Sequence, residues 1–218
     1  METSAIKIYN RHQAGTLLAQ KLKTKYKDDT VITAVSKGGV IVAQPVANTL
    51  HAPLEVVPCK RIIHPSDMGK TIAAVGLNNV MIYTHARDLP HDYIQHQVMA
   101  LQAKLRNEME YYQEDWDLVP IAGKNVILID DLIVSGNTMM ACILELRQKK
   151  PASIVIATPF ISAEAHFFLE EFVDDIIYIR METQLTSPTD FYEVFPAVNE
   201  QEVKDILINS KPQHLELR

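Results

Sequence analysis

Residues 126–138, VILIDDLIVSGNT, constrain what this chain can fold into more than any other stretch. Val126, Ile127, Leu128 and Ile129 form a short, β-branched-rich apolar run, which predicts a strand buried on both faces. Two carboxylates, Asp130 and Asp131, follow at once. After Leu132, Ile133 and Val134, the group Ser135-Gly136-Asn137-Thr138 opens residues 139–149, whose composition is that of a helix. The free N–H groups and dipole at such a helix start favour phosphate, and Ser135 and Thr138 add hydroxyl donors. The two aspartates can accept from sugar hydroxyls or ligate Mg²⁺. A ribose 5-phosphate fits this description. The plainer alternative is a loop that only caps a helix, beside two solvated acids.

Around this stretch, strands and helices alternate. Residues 11–25 carry Ala14, Leu17, Leu18 and Leu22 at helical spacing, and residues 30–35 predict a strand. Ser36-Lys37-Gly38-Gly39 interrupts it before a helix over 40–50, in which Pro45 could produce a kink. Residues 54–59 predict another strand. Residues 60–71, with Pro65, Gly69 and several basic side chains, read as a long loop, either a lid or disordered. Residues 72–77 and 80–84 flank Asn78-Asn79 and predict a hairpin. The longest helical pattern spans 91–116, where Ile94, Val98, Leu101, Leu105, Met109 and Tyr112 recur at three and four. Strands over 154–158 and 175–179 enclose a helix over 163–172, and a last helix spans 200–208. This alternation predicts an α/β fold, a mainly parallel sheet with helices on both faces, whose ligands bind at the carboxyl ends of the strands.

With 218 residues the chain suffices for one domain, 1–218, carrying a helical insertion at 90–117 and a C-terminal hood segment at 181–218. Apolar residues make up 47% and charged residues 22%, as in a folded globular protein. A net charge of -6 argues against a general nucleic-acid binder. No apolar run is long enough for a bilayer and no signal-peptide core is present, so no membrane association and a cytoplasmic location are expected. Cys59 and Cys142 lack zinc-site spacing and read as small buried apolar residues, while His91 and His96 read as surface residues.

Neither a Walker A loop nor a dinucleotide fingerprint is present. Asp130-Asp131 with Ser135-Gly136-Asn137-Thr138 resembles the ribose-phosphate motif of the type I phosphoribosyltransferases. The chain looks most similar to bacterial predicted phosphoribosyltransferases of unassigned acceptor. The resemblance implies that Asp130 and Asp131 are the catalytic acids holding the ribose hydroxyls of phosphoribosyl pyrophosphate, with Mg²⁺ as cofactor bound by them directly or indirectly. It implies that Val134, Ser135, Gly136, Asn137 and Thr138 bind the 5-phosphate. Ser36, Lys37, Gly38 and Gly39 occupy the place of the family's pyrophosphate loop, with Lys37 instead of arginine, which keeps the charge and loses the bidentate fork. Lys60 and Arg61 match the basic pair of the family's covering loop, Pro65 matches its proline, and Gly69-Lys70 departs from its acidic residue. Phe191-Tyr192-Glu193-Val194-Phe195, followed by Asn199 to Val203, resembles the group's C-terminal signature.

The expected activity is Mg²⁺-dependent transfer of a 5-phosphoribosyl group to a nitrogenous acceptor, with loss of pyrophosphate. Val134 stands where 6-oxopurine enzymes of the family carry an acid, and an apolar side chain cannot be a general base. A second expectation is a non-catalytic regulator that binds phosphoribosyl pyrophosphate or a nucleotide on the same fold. A third is an interaction module, a homodimer formed through the long helix.

Overall fold

The computed structural model describes residues 7–26, 29–35, 37–113, 119–183, 185 and 187–210. In chain order its elements are α1 (Arg11–Leu22), β1 (Thr30–Ala34), α2 (Lys37–Leu50), β2 (Leu54–Val56), β3 (Cys59–His64), β4 (Asp67–Gly76), β5 (Val80–Ile82), α3 (His91–Gln113), β6 (Asn125–Ile129), α4 (Asn137–Gln148), β7 (Ser153–Ser162), α5 (Ala163–Leu169), β8 (Asp175–Glu182) and α6 (Glu200–Asn209). Short 3₁₀ turns lie at Thr84–Ala86, Glu170–Phe172 and Pro188–Asp190.

Five strands form a parallel sheet in the order β2-β1-β6-β7-β8. The apolar run of β6 lies in its middle, covered on both faces. Val126 and Leu128 pack into the core beneath α4 and α5, whereas Ile127 and Ile129 pack into the core beneath α1, α2 and α6. Both faces are dry, so the strand has no polar side to show. The strand order reverses between β1 and β6, since α2 leads from β1 outward to β2 and α4 leads from β6 the other way to β7. The crevice at the carboxyl ends of β1 and β6 is therefore the switch point at which open parallel sheets bind ligands.

Residues 60–71 are not a loop. They form β3 and the start of β4, two antiparallel strands turning at Pro65 and Ser66, and β5 adds a third strand. Ile62, Ile72, Ala73 and Val75 bury their side chains in a small core shared with Ile94 and Leu105 of α3. Register shifts at Ile62/Ile63 and Ile63/His64 break the period-two alternation that would have revealed the strand. The turn at Asn78-Asn79 does form, closed by the Gly76 N–H donating to the Asn79 carbonyl at 3.0 Å. Buried Glu145 of α4 accepts from the Asn78 backbone N–H at 3.3 Å and from both asparagine amides at 2.8 Å. The small sheet is thereby fastened to the helix that follows the acidic pair.

Other boundaries shift for identifiable reasons. The predicted strand over 54–59 divides into β2 and the first residue of β3, because Pro58 has no N–H for a ladder. Helix α2 starts at Lys37 and continues through Pro45. It packs so closely on α1 that a Cβ at Gly15 would lie 2.2 Å from the Val42 carbonyl oxygen. Strand β7 extends to Ser162 because Ile133, beyond β6, bridges to Ile161. The apolar stripe of α3 is covered by the protein itself: Ile94 and Leu105 face the small sheet, and Met109 and Tyr112 reach the main core. Trp116, the predicted end of this helix, lies outside the described residues. Cys59 and Cys142 are buried, and His91 and His96 are exposed, as expected. Among the described residues no helix is long and apolar enough to cross a membrane.

Candidate functional site

The loop between β6 and α4 is held by the strand beside it. The Ile133 N–H donates to the Phe160 carbonyl and the Ser162 N–H to the Ile133 carbonyl, both at 3.0 Å, and Ser162 Oγ donates to the Val134 carbonyl at 2.5 Å. Gly136, at φ 72° and ψ -7°, turns the chain into α4. A side chain there would be strained, and its Cβ would lie 3.0 Å from Phe168. No side chain caps this helix start, so its first N–H groups face the loop, the usual arrangement for an anion. Tyr83 Oη donates to the Asn137 carbonyl at 3.0 Å and ties the start of α4 to the end of the small sheet. Burial pushes the Tyr83 phenol up to about 12, so it stays a donor at neutral pH.

A cavity of about 350 Å³ opens over this loop. Asp130, Asp131, Leu132 to Met139, Arg61 of β3 and Pro188 line it. The acidic pair, Val134 to Thr138 and Arg61 thus meet around one space. Gly38 and Gly39 lie in the first turn of α2, not in the loop expected of them, and pack against the acids on the β1 side. A Cβ at Gly38 would fall 2.1 Å from Asp131 Oδ2, and one at Gly39 would fall 2.8 Å from the Ile129 carbonyl oxygen. Only glycines let α2 come this near the acids. Ser36 lies outside the described residues.

Asp131 does not stand in solvent. Arg11 Nε donates to its Oδ2 at 2.6 Å, with side-chain exposures of 9% and 14%. Arg11 also donates from Nη1 to the Pro196 carbonyl at 2.7 Å, and its guanidinium lies 3.5 Å from the Phe195 ring centroid. Tyr192 Oη donates to the Asp131 carbonyl at 2.9 Å, and burial first, then the nearby Asp131 charge, pushes its phenol far up. The Asp131 N–H donates to Asp130 Oδ1 at 3.0 Å. Arg11 has no motif around it in the sequence; Tyr192 and Phe195 lie in the aromatic C-terminal group.

The basic residues divide. Lys60 and Arg61 are neighbours on a strand, so their side chains point to opposite faces. Arg61 faces the acids, whereas Lys60 lines a second, mostly apolar cavity of about 280 Å³ together with Lys37, Val56, Leu105, Glu108 and Tyr112. There Lys60 pairs with Glu108 of α3, and Lys37 pairs with Glu200 of α6 at 2.7 Å. The hydrogen bond from Lys37 holds the Glu200 carboxyl below its ordinary range. Spacing within the chain could not disclose Glu108 or Glu200, because both partners arrive through tertiary packing.

Comparison with known proteins gives this geometry a family. The model of the phosphoribosyl transferase domain matches residues 6–179. A protein of Mycobacterium tuberculosis (strain CDC 1551 / Oshkosh) named "Putative phosphoribosyl transferase" is 23% identical over 201 residues, covering 89% of this chain and 45% of its own length. A second, from strain ATCC 25618 / H37Rv, matches with the same figures. The chain thus spans about half the length of the curated relatives it matches. The solved structure of TT1426 from Thermus thermophilus superposes with a TM-score of 0.79 at 25% identity, over 94% of this chain and 99% of that one. AQ2163 protein from Aquifex aeolicus shares the fold, with a TM-score of 0.53 at 12% identity over 85% of this chain and 83% of that one. With the acidic pair and the helix-start loop gathered at the switch point, and the family model matching most of its length, the chain belongs to the phosphoribosyl transferase domain family.

Proposed function

We propose that this chain transfers the 5-phosphoribosyl group of phosphoribosyl pyrophosphate to a nitrogenous acceptor and releases pyrophosphate. The observation that carries this reading is that a phosphate-sized loop at the start of α4 and the adjacent carboxylates Asp130 and Asp131 line one cavity, with Gly38 and Gly39 of α2 packed against those acids. The 5-phosphate would sit on the N–H groups of residues 135–138, with the Ser135 and Thr138 hydroxyls as further donors. Asp130 and Asp131 would accept from the ribose hydroxyls. Pyrophosphate would lie along Gly38-Gly39, with Lys37 on one side and Arg61 on the other.

In the reaction the bond from C1 to the pyrophosphate oxygen breaks and a bond from C1 to an acceptor nitrogen forms on the opposite face, with a proton leaving that nitrogen. Positive charge grows on the ribose ring as negative charge grows on the leaving group. The task is electrostatic and positional, and the fixed carboxylates suit it. Val134 offers no base, so the acceptor would bring an acidic N–H or lose its proton to another group. Mg²⁺ fits these donors: such ions take one or two carboxylates and complete their shell with phosphate oxygens, and the described residues hold no group of three His, Cys, Asp or Glu that would form a closed cage. Asp130 and Asp131 would hold it, directly or through the ribose hydroxyls, and the ion would supply charge neutralisation to the leaving group.

A second reading, a regulator that binds the same ligand without turnover, is favoured by one feature: Lys37 and Lys60 are neutralised by Glu200 and Glu108. Incubation with phosphoribosyl pyrophosphate, Mg²⁺ and a panel of purines, pyrimidines and related nitrogen acceptors, with pyrophosphate release as readout, separates the two. Transfer predicts release with at least one acceptor, reduced about a hundredfold or more by Asp130→Asn. Ligand binding with no release across the panel would favour the regulator.

A further inference from the structure

We infer that Arg11 is a positioning residue that makes the acidic pair selective for a vicinal diol, so that ribose phosphates are taken in preference to 2-deoxyribose phosphates. This rests on the phosphoribosyl reading of the site. Arg11 is 8% exposed, lies far from the motif in sequence, and spends its donors on two partners: Nε on Asp131 Oδ2 and Nη1 on the Pro196 carbonyl. Its planar face rests against Phe195, and Gly38 leaves the space in which the pair sits, since a Cβ there would come within 2.9 Å of Nε. The guanidinium is thus immobilised on two edges and one face, and it immobilises Asp131 in turn.

Two consequences follow for the site. A carboxylate held in one rotamer presents its remaining lone pairs in a fixed direction, so a sugar hydroxyl that meets them does not bear the cost of ordering the side chain. With Asp131 N–H holding Asp130 Oδ1, the two acids become one rigid set of acceptors, suited to two neighbouring hydroxyls. Arg11 also cancels one of two adjacent negative charges beside a cavity meant for an anionic sugar phosphate, and at a few ångströms that repulsion is substantial in a partly buried site. A freely rotating, doubly charged pair would bind the diol less well and would discriminate poorly against a sugar lacking one hydroxyl.

The test is calorimetric titration with ribose 5-phosphate, 2-deoxyribose 5-phosphate and inorganic phosphate, using the wild type, Arg11→Met and Arg11→Lys, with thermal unfolding as the check on folding. The wild type should prefer ribose 5-phosphate about tenfold, the worth of one hydrogen bond to a charged acceptor. In Arg11→Met that preference should fall to about twofold or less, on top of a loss of affinity shared with inorganic phosphate that follows from the uncancelled charge. Arg11→Lys, which keeps the charge and loses the fork, should fold and retain about threefold. A preference undiminished in both variants overturns the inference, as does an equal loss of affinity for all three ligands. Should Arg11→Met fail to fold, a full tenfold preference in Arg11→Lys overturns it alone. A wild type that binds neither sugar phosphate overturns instead the phosphoribosyl reading beneath it.

Discussion

One arm of the site, β6, its loop and α4, comes from a single unbroken stretch, residues 125–148; the other gathers Lys37, Lys60, Glu108 and Glu200 from four separate elements. The first arm is fixed by a glycine at positive φ that turns the chain into α4 and by hydrogen bonds between its loop and the neighbouring β7. The second is fixed by ion pairs whose lysines are about a third exposed, and such pairs contribute little net stability. On the proposed reading, the side that would take the sugar phosphate needs no rearrangement, whereas the side that would take the leaving group would exchange internal carboxylates for an incoming anion.

Three substitutions break or sharpen this contrast. The largest effect is expected at Glu55, where the chain returning from α3 is anchored: the Val119 N–H donates to its buried carboxyl. Burial pushes the Glu55 carboxyl up to about 7, against the lowering effects of that hydrogen bond and of Lys149. The folded state therefore holds a proton that the unfolded chain releases near its ordinary value. Stability contributed by protonated Glu55 is full below about pH 4 and is lost as pH rises towards 7. Glu55→Gln should remove that dependence and gain up to about 3 kcal/mol at pH 8 by denaturant unfolding. No gain at pH 8, or a gain that appears only at pH 4, would mean that the return from α3 is held in another way.

Next comes Gly39→Ala, where α2 packs against the end of β6. The added Cβ meets backbone, the Ile129 carbonyl, which cannot rotate away. A cost of about 2 kcal/mol in thermal unfolding is expected, within the range for overpacking, together with loss of sugar-phosphate affinity. Unchanged stability and affinity would show that α2 shifts to make room. The smallest effect is Glu108→Gln. Freeing Lys60 should raise pyrophosphate affinity about threefold and change stability by less than about 1 kcal/mol. Weaker pyrophosphate binding in this variant would instead make Glu108 part of the binding surface.

The same contrast explains what could be read in advance. The chemistry of residues 126–138 is written in consecutive letters, so strand, acids, loop and helix start were all legible, and Phe191 to Phe195 were legible as a group. The partner of Asp131 was not, because Arg11 lies 120 positions away and nothing near it announces a site. Residues 60–71 misled for a physical reason: a hairpin with bulged register and a Pro-Ser turn carries the composition of a loop, and its strand character comes from pairing with β4. That pairing also sends Lys60 and Arg61 to opposite faces, which adjacency in sequence conceals. The C-terminal group came through as residues but not as roles, since Phe195 and Tyr192 act by holding Arg11 and Asp131.

On the proposed function, Asp130 and Asp131 mark a phosphoribosyl pyrophosphate site. Calorimetric titration of that ligand with Mg²⁺ into the wild type and into the double variant Asp130→Asn plus Asp131→Asn tests it directly. Saturable one-site binding is expected in the wild type, with a loss of about a hundredfold or more in the variant, from two charged acceptors removed. Equal affinity in the two proteins would contradict it.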